Sequence, residues 1–271
     1  MSVLDELVKL LSLEKIEENL FRGQSQDLGW HTVFGGQVLG QALSAAAQTV
    51  PKDRQVHSLH AYFLRPGDVT RPIIYDVDRI RDGGSFTTRR VVAIQKGEPI
   101  FNLSTSFQKH EDGFEHQSAM PDAPDPETVP KDEDRFKRGR PIDLRIVGEQ
   151  NEDPAHPKPR PPSRMVWMKA VAPLPDDPAL HAYLLAYASD FAFVTTAMLP
   201  HGKSWLTPGM QVASIDHVMW FHRPFRIDEW LLYVMDSPAA QSARGLARGS
   251  VFTKGGELVA STAQEGLMRQ R

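Results

Sequence analysis

The sequence predicts an α+β chain in which one unit, a helix followed by an antiparallel meander of four strands, is built twice. A run crowded with small residues, Phe34 to Ala47, precedes four strand-like segments separated by turns. After a stretch dense in proline the same order restarts, with a helix from Pro178 and then strands. Short strings also return at a nearly constant spacing. Tyr62-Phe63-Leu64-Arg65-Pro66 matches Trp220-Phe221-His222-Arg223-Pro224 at 158 residues, Gly97-Glu98-Pro99-Ile100 matches Gly256-Glu257-Leu258-Val259 at 159, and Ser104-Thr105 matches Ser261-Thr262 at 157. Matches within one residue of a common offset indicate a duplicated unit of about 110 residues.

The elements follow in order. Met1 to Leu13 reads as an amphipathic helix, with Leu4, Leu7, Leu10 and Leu11 at helical spacing and Asp5, Glu6 and Lys9 between them, which is not the pattern of a signal peptide. Asn19 to Gln24 is a short strand. Gly35 and Gly36 open the small-residue helix, where they either leave backbone N–H groups free to face a ligand oxygen or serve a tight turn and close packing. Strands are predicted at Ser58 to Leu64, Pro72 to Arg79, Thr87 to Gln95 and Pro99 to Gln108. Lys109 to Ser163, rich in proline and charge, reads as a surface connection with one ordered piece near Pro141 to Val147. The second copy begins with a strand at Arg164 to Val171 and a helix from Pro178 to Leu199. Strands at Val212 to Phe221, Glu229 to Met235, Ala243 to Thr253 and Glu257 to Met268 complete it. The expected division is 1–110, a linker at 111–163, and 164–271.

Composition narrows the function. A net charge of −3 with mixed signs over 271 residues gives no basic field for nucleic acid. The absence of cysteine excludes disulfides and thiolate metal sites, and it suits a reducing cytoplasm. No run approaches the ~20 apolar residues of a membrane span. The terminal Met268-Arg269-Gln270-Arg271 is not a peroxisomal signal.

The densest polar chemistry lies in Ser214-Ile215-Asp216-His217-Val218-Met219-Trp220-Phe221-His222-Arg223-Pro224. Strand alternation puts Ser214 and Asp216 on one face and Ile215 and His217 on the other. His31, His60, His217 and His222 lack the spacing of a metal site and fall on different elements, so no metal is expected.

Asn19-Leu20-Phe21-Arg22-Gly23-Gln24, Val33-Phe34-Gly35-Gly36-Gln37-Val38, His60 to Asp68, Phe107-Gln108, Phe114-Glu115-His116-Gln117, Tyr187-Ala188-Ser189-Asp190, Ile215-Asp216-His217, Met219 to Pro224 and Ser261 to Gly266, in this order, resemble the bacterial acyl-CoA thioesterase II family. The resemblance covers nearly the whole chain and is weakest in the linker. It implies two tandem hotdog units, each a helix wrapped by a curved antiparallel sheet. It also implies hydrolysis of fatty acyl-CoA to free acid and CoA without a cofactor, with the acyl chain in an apolar slot between the units. Chains of this family are expected to form homo-oligomers, dimers or tetramers.

By the same resemblance water is activated by Asp190, Ser214 and Gln264. Where the family has threonine this chain has Ser214, which keeps the hydroxyl and loses the methyl that restricts its rotamer. These types suit a thioester, whose carbonyl needs a positioned water, a base and donors for the oxyanion rather than a covalent nucleophile. Aligning the copies places Gln41 opposite Asp190, Val56 opposite Ser214 and Phe107 opposite Gln264, so the first copy lacks all three groups; a slip of one residue would instead bring Gln108 opposite Gln264. Asp216 is the reserve base. Arg65 and Arg223 are expected to pin turns, and Arg89, Arg90, Arg244 and Arg248 are candidates for the CoA phosphates. The alternatives are a hotdog enoyl-CoA hydratase using Asp216 and His217, and a non-catalytic acyl-CoA-binding protein.

Overall fold

The computed structural model describes residues 1–131, 139–148, 153 and 155–271. Helix α1 is Val3–Leu11, followed by strands β1 (Glu14–Glu17) and β2 (Leu20–Gly23), helix α2 (Gly35–Ala47), and strands β3 (Arg54–Phe63), β4 (Ile73–Asp82), β5 (Phe86–Gln95) and β6 (Glu98–Lys109). Strand β7 (Ile142–Ile146) lies within the proline-rich stretch, at the one place where order was predicted there. It is followed by β8 (Ser163–Ala170), α3 (Pro178–Ser189), α4 (Phe193–Thr196), β9 (Met210–Ser214), β10 (Asp216–Phe221), β11 (Leu231–Gln241), β12 (Arg244–Thr253) and β13 (Leu258–Gln270). Among the described residues no helix is long and apolar enough to cross a membrane.

The strands form one antiparallel sheet in the order β1-β2-β4-β5-β6-β3-β10-β13-β12-β11-β8-β7, with β9 also beside β13. The β3–β10 pairing, Val218 opposite His60 and Trp220 opposite Ser58, is the seam where the two copies meet. Inside the sheet, α2 and α3 pack on each other. They are buried almost all round rather than on one stripe: every residue from Gly36 to Ala46 of α2 is buried. Small residues permit this approach. A Cβ on Gly36 would run into the Tyr187 carbonyl, and one on Gly40 would come within 3.0 Å of the Tyr183 carbonyl.

Matching bulges fix how the copies align. The β5–β6 ladder slips between Ala93 and Ile94, where Phe101 and Pro99 stand opposite. The β12–β13 ladder slips in the same way between Val251 and Phe252, opposite Ala260 and Leu258. One turn contact also repeats: Arg65 Nη1 donates to the Pro99 carbonyl (2.7 Å), and Arg223 Nη1 donates to the Leu258 carbonyl (3.2 Å). Both arginines therefore pin turns. With β6 and β13 aligned by their bulges, Thr105 stands opposite Gln264, two residues from the predicted Phe107. Val56 remains opposite Ser214, and Leu59 falls opposite His217.

Two predicted elements are interrupted. The helix expected from Pro178 to Leu199 ends at Ser189, because Ala192 takes a left-handed conformation (φ 63°) before α4 restarts the turn. The strand expected from Val212 to Phe221 breaks at Ile215. There the Asp216 carboxylate accepts the Glu265 amide N–H at 2.6 Å, and the ladder to β13 changes phase. Both breaks lie at the candidate site.

Candidate active site

Asp190 caps the C-terminal end of α3 (φ −81°, ψ −12°), which delivers its carboxylate to the interior with 5% of the side chain exposed. Two donors converge on one of its oxygens. Gln264 Nε2 from β13 donates to Oδ1 at 2.8 Å, and Ser214 Oγ from the end of β9 donates to the same atom at 3.3 Å. The structure thus brings the three predicted site residues together from a helix and two strands. The other oxygen, Oδ2, faces the start of α2, where a Cβ on Gly35 would lie 2.6 Å from it. Phe34 caps α2 without a side-chain hydrogen bond. The N–H groups of Gly35 and Gly36 precede the first bonds of the helix, which run from Gln37 and Val38 to the Phe34 carbonyl, and that of Gly35 belongs to the end of α2 beside the carboxylate.

Alternation along an unbroken strand would have pointed His217 away from Ser214. The break at Ile215 instead turns both toward Asp190. His217 is fully buried, with Nδ1 2.9 Å from Gln264 Nε2 and 3.8 Å from Asp190 Oδ1, while Nε2 lies 3.0 Å from Ser189 Oγ. Burial pushes its pKa down to about 4, against the opposing pull of Asp190. The signal that could have found it lies in the repeat, where the leucine Leu59 occupies the equivalent position. Asp216, the reserve base, is engaged elsewhere, since its Oδ1 holds the Glu265 amide. Burial raises its pKa, the Glu265 charge adds to that, and the amide bond opposes both.

The remaining candidates are apart from this cluster. His31 and His60 are exposed, and His222 bonds Ser261 at 2.9 Å. Among the described residues no group of three His, Asp or Glu is placed to hold a metal ion. Arg89 is not available to a phosphate: it is 1% exposed and donates to Asp82 and to Thr49 Oγ1 and carbonyl. Its burial under β5 makes it a core residue, which corrects the sequence expectation. Arg90, Arg244 and Arg248 lie on the surface, paired with Asp78, Glu265 and Asp236. Gln41, opposite Asp190 in the first copy, is buried and held by Tyr75, Gln37 and the Leu10 and Gln24 carbonyls.

A cavity of about 280 Å³ reaches Tyr187 and Phe191, either side of Asp190 in the chain, though Asp190, Ser214 and Gln264 do not line it. Leu7, Leu28, Ile142, Leu144, Tyr187 and Phe191 supply much of its wall. Phe191, next to Asp190 in the chain, stacks on Phe34 at 4.5 Å, and Phe34 in turn meets Tyr187 edge-on at 5.2 Å. These rings stand between the cavity and the start of α2.

Comparison with known proteins gives the family and the fold. Residues 158–267 match the family model for acyl-CoA thioesterase, and residues 25–108 match that for the acyl-CoA thioesterase N-terminal domain. The chain is 45% identical to acyl-CoA thioesterase 2 of Haemophilus influenzae, covering 98% of each. It superposes on the crystal structure of the acyl-CoA thioesterase II TesB2 of Mycobacterium marinum with a TM-score of 0.84 at 45% identity, again over 98% of each chain. A hot dog fold protein of Alicyclobacillus acidocaldarius, 21% identical, matches with a TM-score of 0.82 over 98% of both chains and confirms the tandem hotdog architecture.

Proposed function

The chain belongs to the acyl-CoA thioesterase family, and on that premise we propose that it hydrolyses fatty acyl-CoA to free fatty acid and CoA with a water activated by Asp190, Ser214 and Gln264. The observation that carries this is the convergence of Gln264 and Ser214 on Asp190 Oδ1, which leaves Oδ2 beside the open end of α2. Water donates one proton to Oδ2 and attacks the thioester carbonyl carbon. The carbonyl oxygen, gaining negative charge, accepts from the free N–H groups at Gly35 and Gly36. The tetrahedral intermediate then collapses, the C–S bond breaks, and the proton held by Asp190 passes to the leaving sulfur. Ser214 and Gln264 keep the carboxylate oriented throughout.

The acyl chain lies in the cavity walled by Leu7, Leu28 and Ile142, reached past Phe34 and Phe191. The hydratase alternative would need Asp216 and His217 to face one substrate. That reading is disfavoured by the bond from the Glu265 amide to Asp216 and by the full burial of His217. The non-catalytic alternative leaves the Asp190 cluster without a purpose. Division into units at 1–110 and 164–271, association into dimers or tetramers, and a cytoplasmic location belong to the same proposal.

The test is release of free thiol from acyl-CoAs of graded length. Wild type turns over, and Gln264→Ala loses at least about 10²-fold in kcat, the scale of a disabled general base. No thiol release by wild type, or an undiminished Gln264→Ala, overturns the reading.

A further inference from the structure

His217 is a fully buried titratable group at the site that the water-activating mechanism does not use. Its hydrogen bonds form a directed chain. Ser189 has a single proton, and its Oγ lies 2.9 Å from the Ala186 carbonyl, an atom that can only accept. Ser189 Oγ must therefore accept from His217 Nε2–H at 3.0 Å, which leaves Nδ1 as a lone pair facing Gln264 Nε2 at 2.9 Å. Gln264 Nε2 has two protons, and the second goes to Asp190 Oδ1. Were the amide reversed, its oxygen would lie 2.8 Å from the carboxylate, acceptor against acceptor. With the nitrogen so held, Gln264 Oε1 is left buried and without a partner among the described residues. It can accept a hydrogen bond from the second O–H of the attacking water.

The repeat supplies an independent observation. At the equivalent position the first copy has Leu59, as fully buried as His217, so this fold does not need an imidazole there. The same copy has Gln41, Val56 and Thr105 in place of the carboxylate, hydroxyl and amide. The imidazole occurs only in the copy that carries the reactive cluster, although burying a polar ring in a core costs more than burying leucine.

We propose that His217 is a positioning residue that fixes the amide orientation of Gln264, holding its nitrogen to Asp190 and its oxygen toward the attacking water. This rests on the water-activating role of Asp190, Ser214 and Gln264. His217 touches no reacting atom and acts only through Gln264. Its neutral Nε2–H form is required, since protonation at Nδ1 would remove the acceptor and release the amide. The titratable groups packed around it are Asp190 from the end of α3 and Tyr233 from β11. Tyr233 donates to the Ser189 carbonyl at 3.3 Å, and its hydroxyl stays protonated because burial raises its pKa.

Three measurements test this. In ¹⁵N-histidine NMR of the whole protein at pH 7, His217 should show an unprotonated Nδ1 and a protonated Nε2; the opposite tautomer or an imidazolium overturns the proposal. In thiol-release kinetics, His217→Leu should lower kcat at least about tenfold with KM within about twofold. His217→Asn, whose Oδ1 stands as many bonds from Cβ as Nδ1 does, should recover most of that loss. A wild-type kcat for His217→Leu, or an Asn variant as impaired as the Leu variant, overturns it. In the Gln264→Ala background, adding His217→Leu should cost nothing further, whereas a purely structural role would still cost activity there. If His217→Leu proves too unstable to assay, the tautomer and the Asn variant decide. Should Asp190→Asn be inactive while His217→Leu behaves as wild type, only this inference fails; an active Asp190→Asn removes the function reading with it.

Discussion

Acidification from pH 7 to pH 4 should destabilise the fold through His217 by an amount its burial sets. In the unfolded chain the imidazole titrates at its ordinary 6.5, and in the folded protein burial lowers this to about 4. Between those values the unfolded chain binds a proton that the native state refuses, so stability falls as pH drops below 6.5. The loss levels off below about pH 4, where both states are protonated. The gap of about 2.5 pH units, at about 1.4 kcal/mol each, amounts to roughly 3 to 4 kcal/mol in full, of which about 3 kcal/mol is lost by pH 4, where the folded imidazole is half protonated. That is a large share of the 5–15 kcal/mol typical of a folded domain. Urea denaturation of wild type and His217→Asn at pH 7, 6, 5 and 4 isolates it, because other titrating groups are common to both proteins. Wild type should lose about 3 kcal/mol relative to the variant across this range. A difference that stays flat with pH would mean that His217 titrates alike in both states, and the burial argument would fail.

Gly35→Ala should lower kcat by about 10²-fold or more with little change in melting temperature, since its Cβ would sit 2.6 Å from Asp190 Oδ2 while alanine suits a helix start; kinetics and thermal unfolding check both halves. Ser214→Ala should cost about tenfold in kcat, the low end for a hydrogen bond to a charge given its 3.3 Å length, and Ser214→Thr should stay near wild type. Leu28→Trp should fill part of the 280 Å³ cavity. Losing room for two methylenes at ~0.8 kcal/mol each lowers kcat/KM for long acyl-CoAs by about 15-fold, with butyryl-CoA as the unaffected control.

The repeat was readable because Arg65 and Arg223 each donate to the carbonyl opposite them in the same turn, so the strings around them survive in both copies. The strands themselves followed from alternation, but their order did not: each copy was read as a meander, whereas β3 closes beside β6 and β10 beside β13, pairings between strands distant in the chain. Asp190, Ser214 and Gln264 followed from the strings that carry them. What sequence could not give depended on partners distant in the chain. Asp216 captures the Glu265 amide and breaks the strand at Ile215, which reverses the face that His217 presents. Phe191-Ala192-Phe193-Val194 continues an apolar helical pattern, and nothing in an alanine announces the positive φ that ends α3. Thr105 rather than Phe107 is the repeat equivalent of Gln264, because the bulges align β6 with β13 at the 159-residue spacing of the Gly97 and Gly256 strings, which puts the Ser104-Thr105 match at 157 out of register. Arg89 reads as a surface cation, yet Thr49 and Asp82 draw it into the core.

The most direct measurement compares thiol release by Asp190→Asn and Asp216→Asn on one acyl-CoA, each against wild type. Asparagine preserves the shape of each side chain, so the pair isolates the loss of a base. Asp190→Asn should fall at least about 10²-fold in kcat while Asp216→Asn, whose carboxylate holds only a backbone amide, keeps most of its activity. An Asp190→Asn enzyme running near the wild-type rate beside an inactive Asp216→Asn would place the base on β10 and contradict the mechanism.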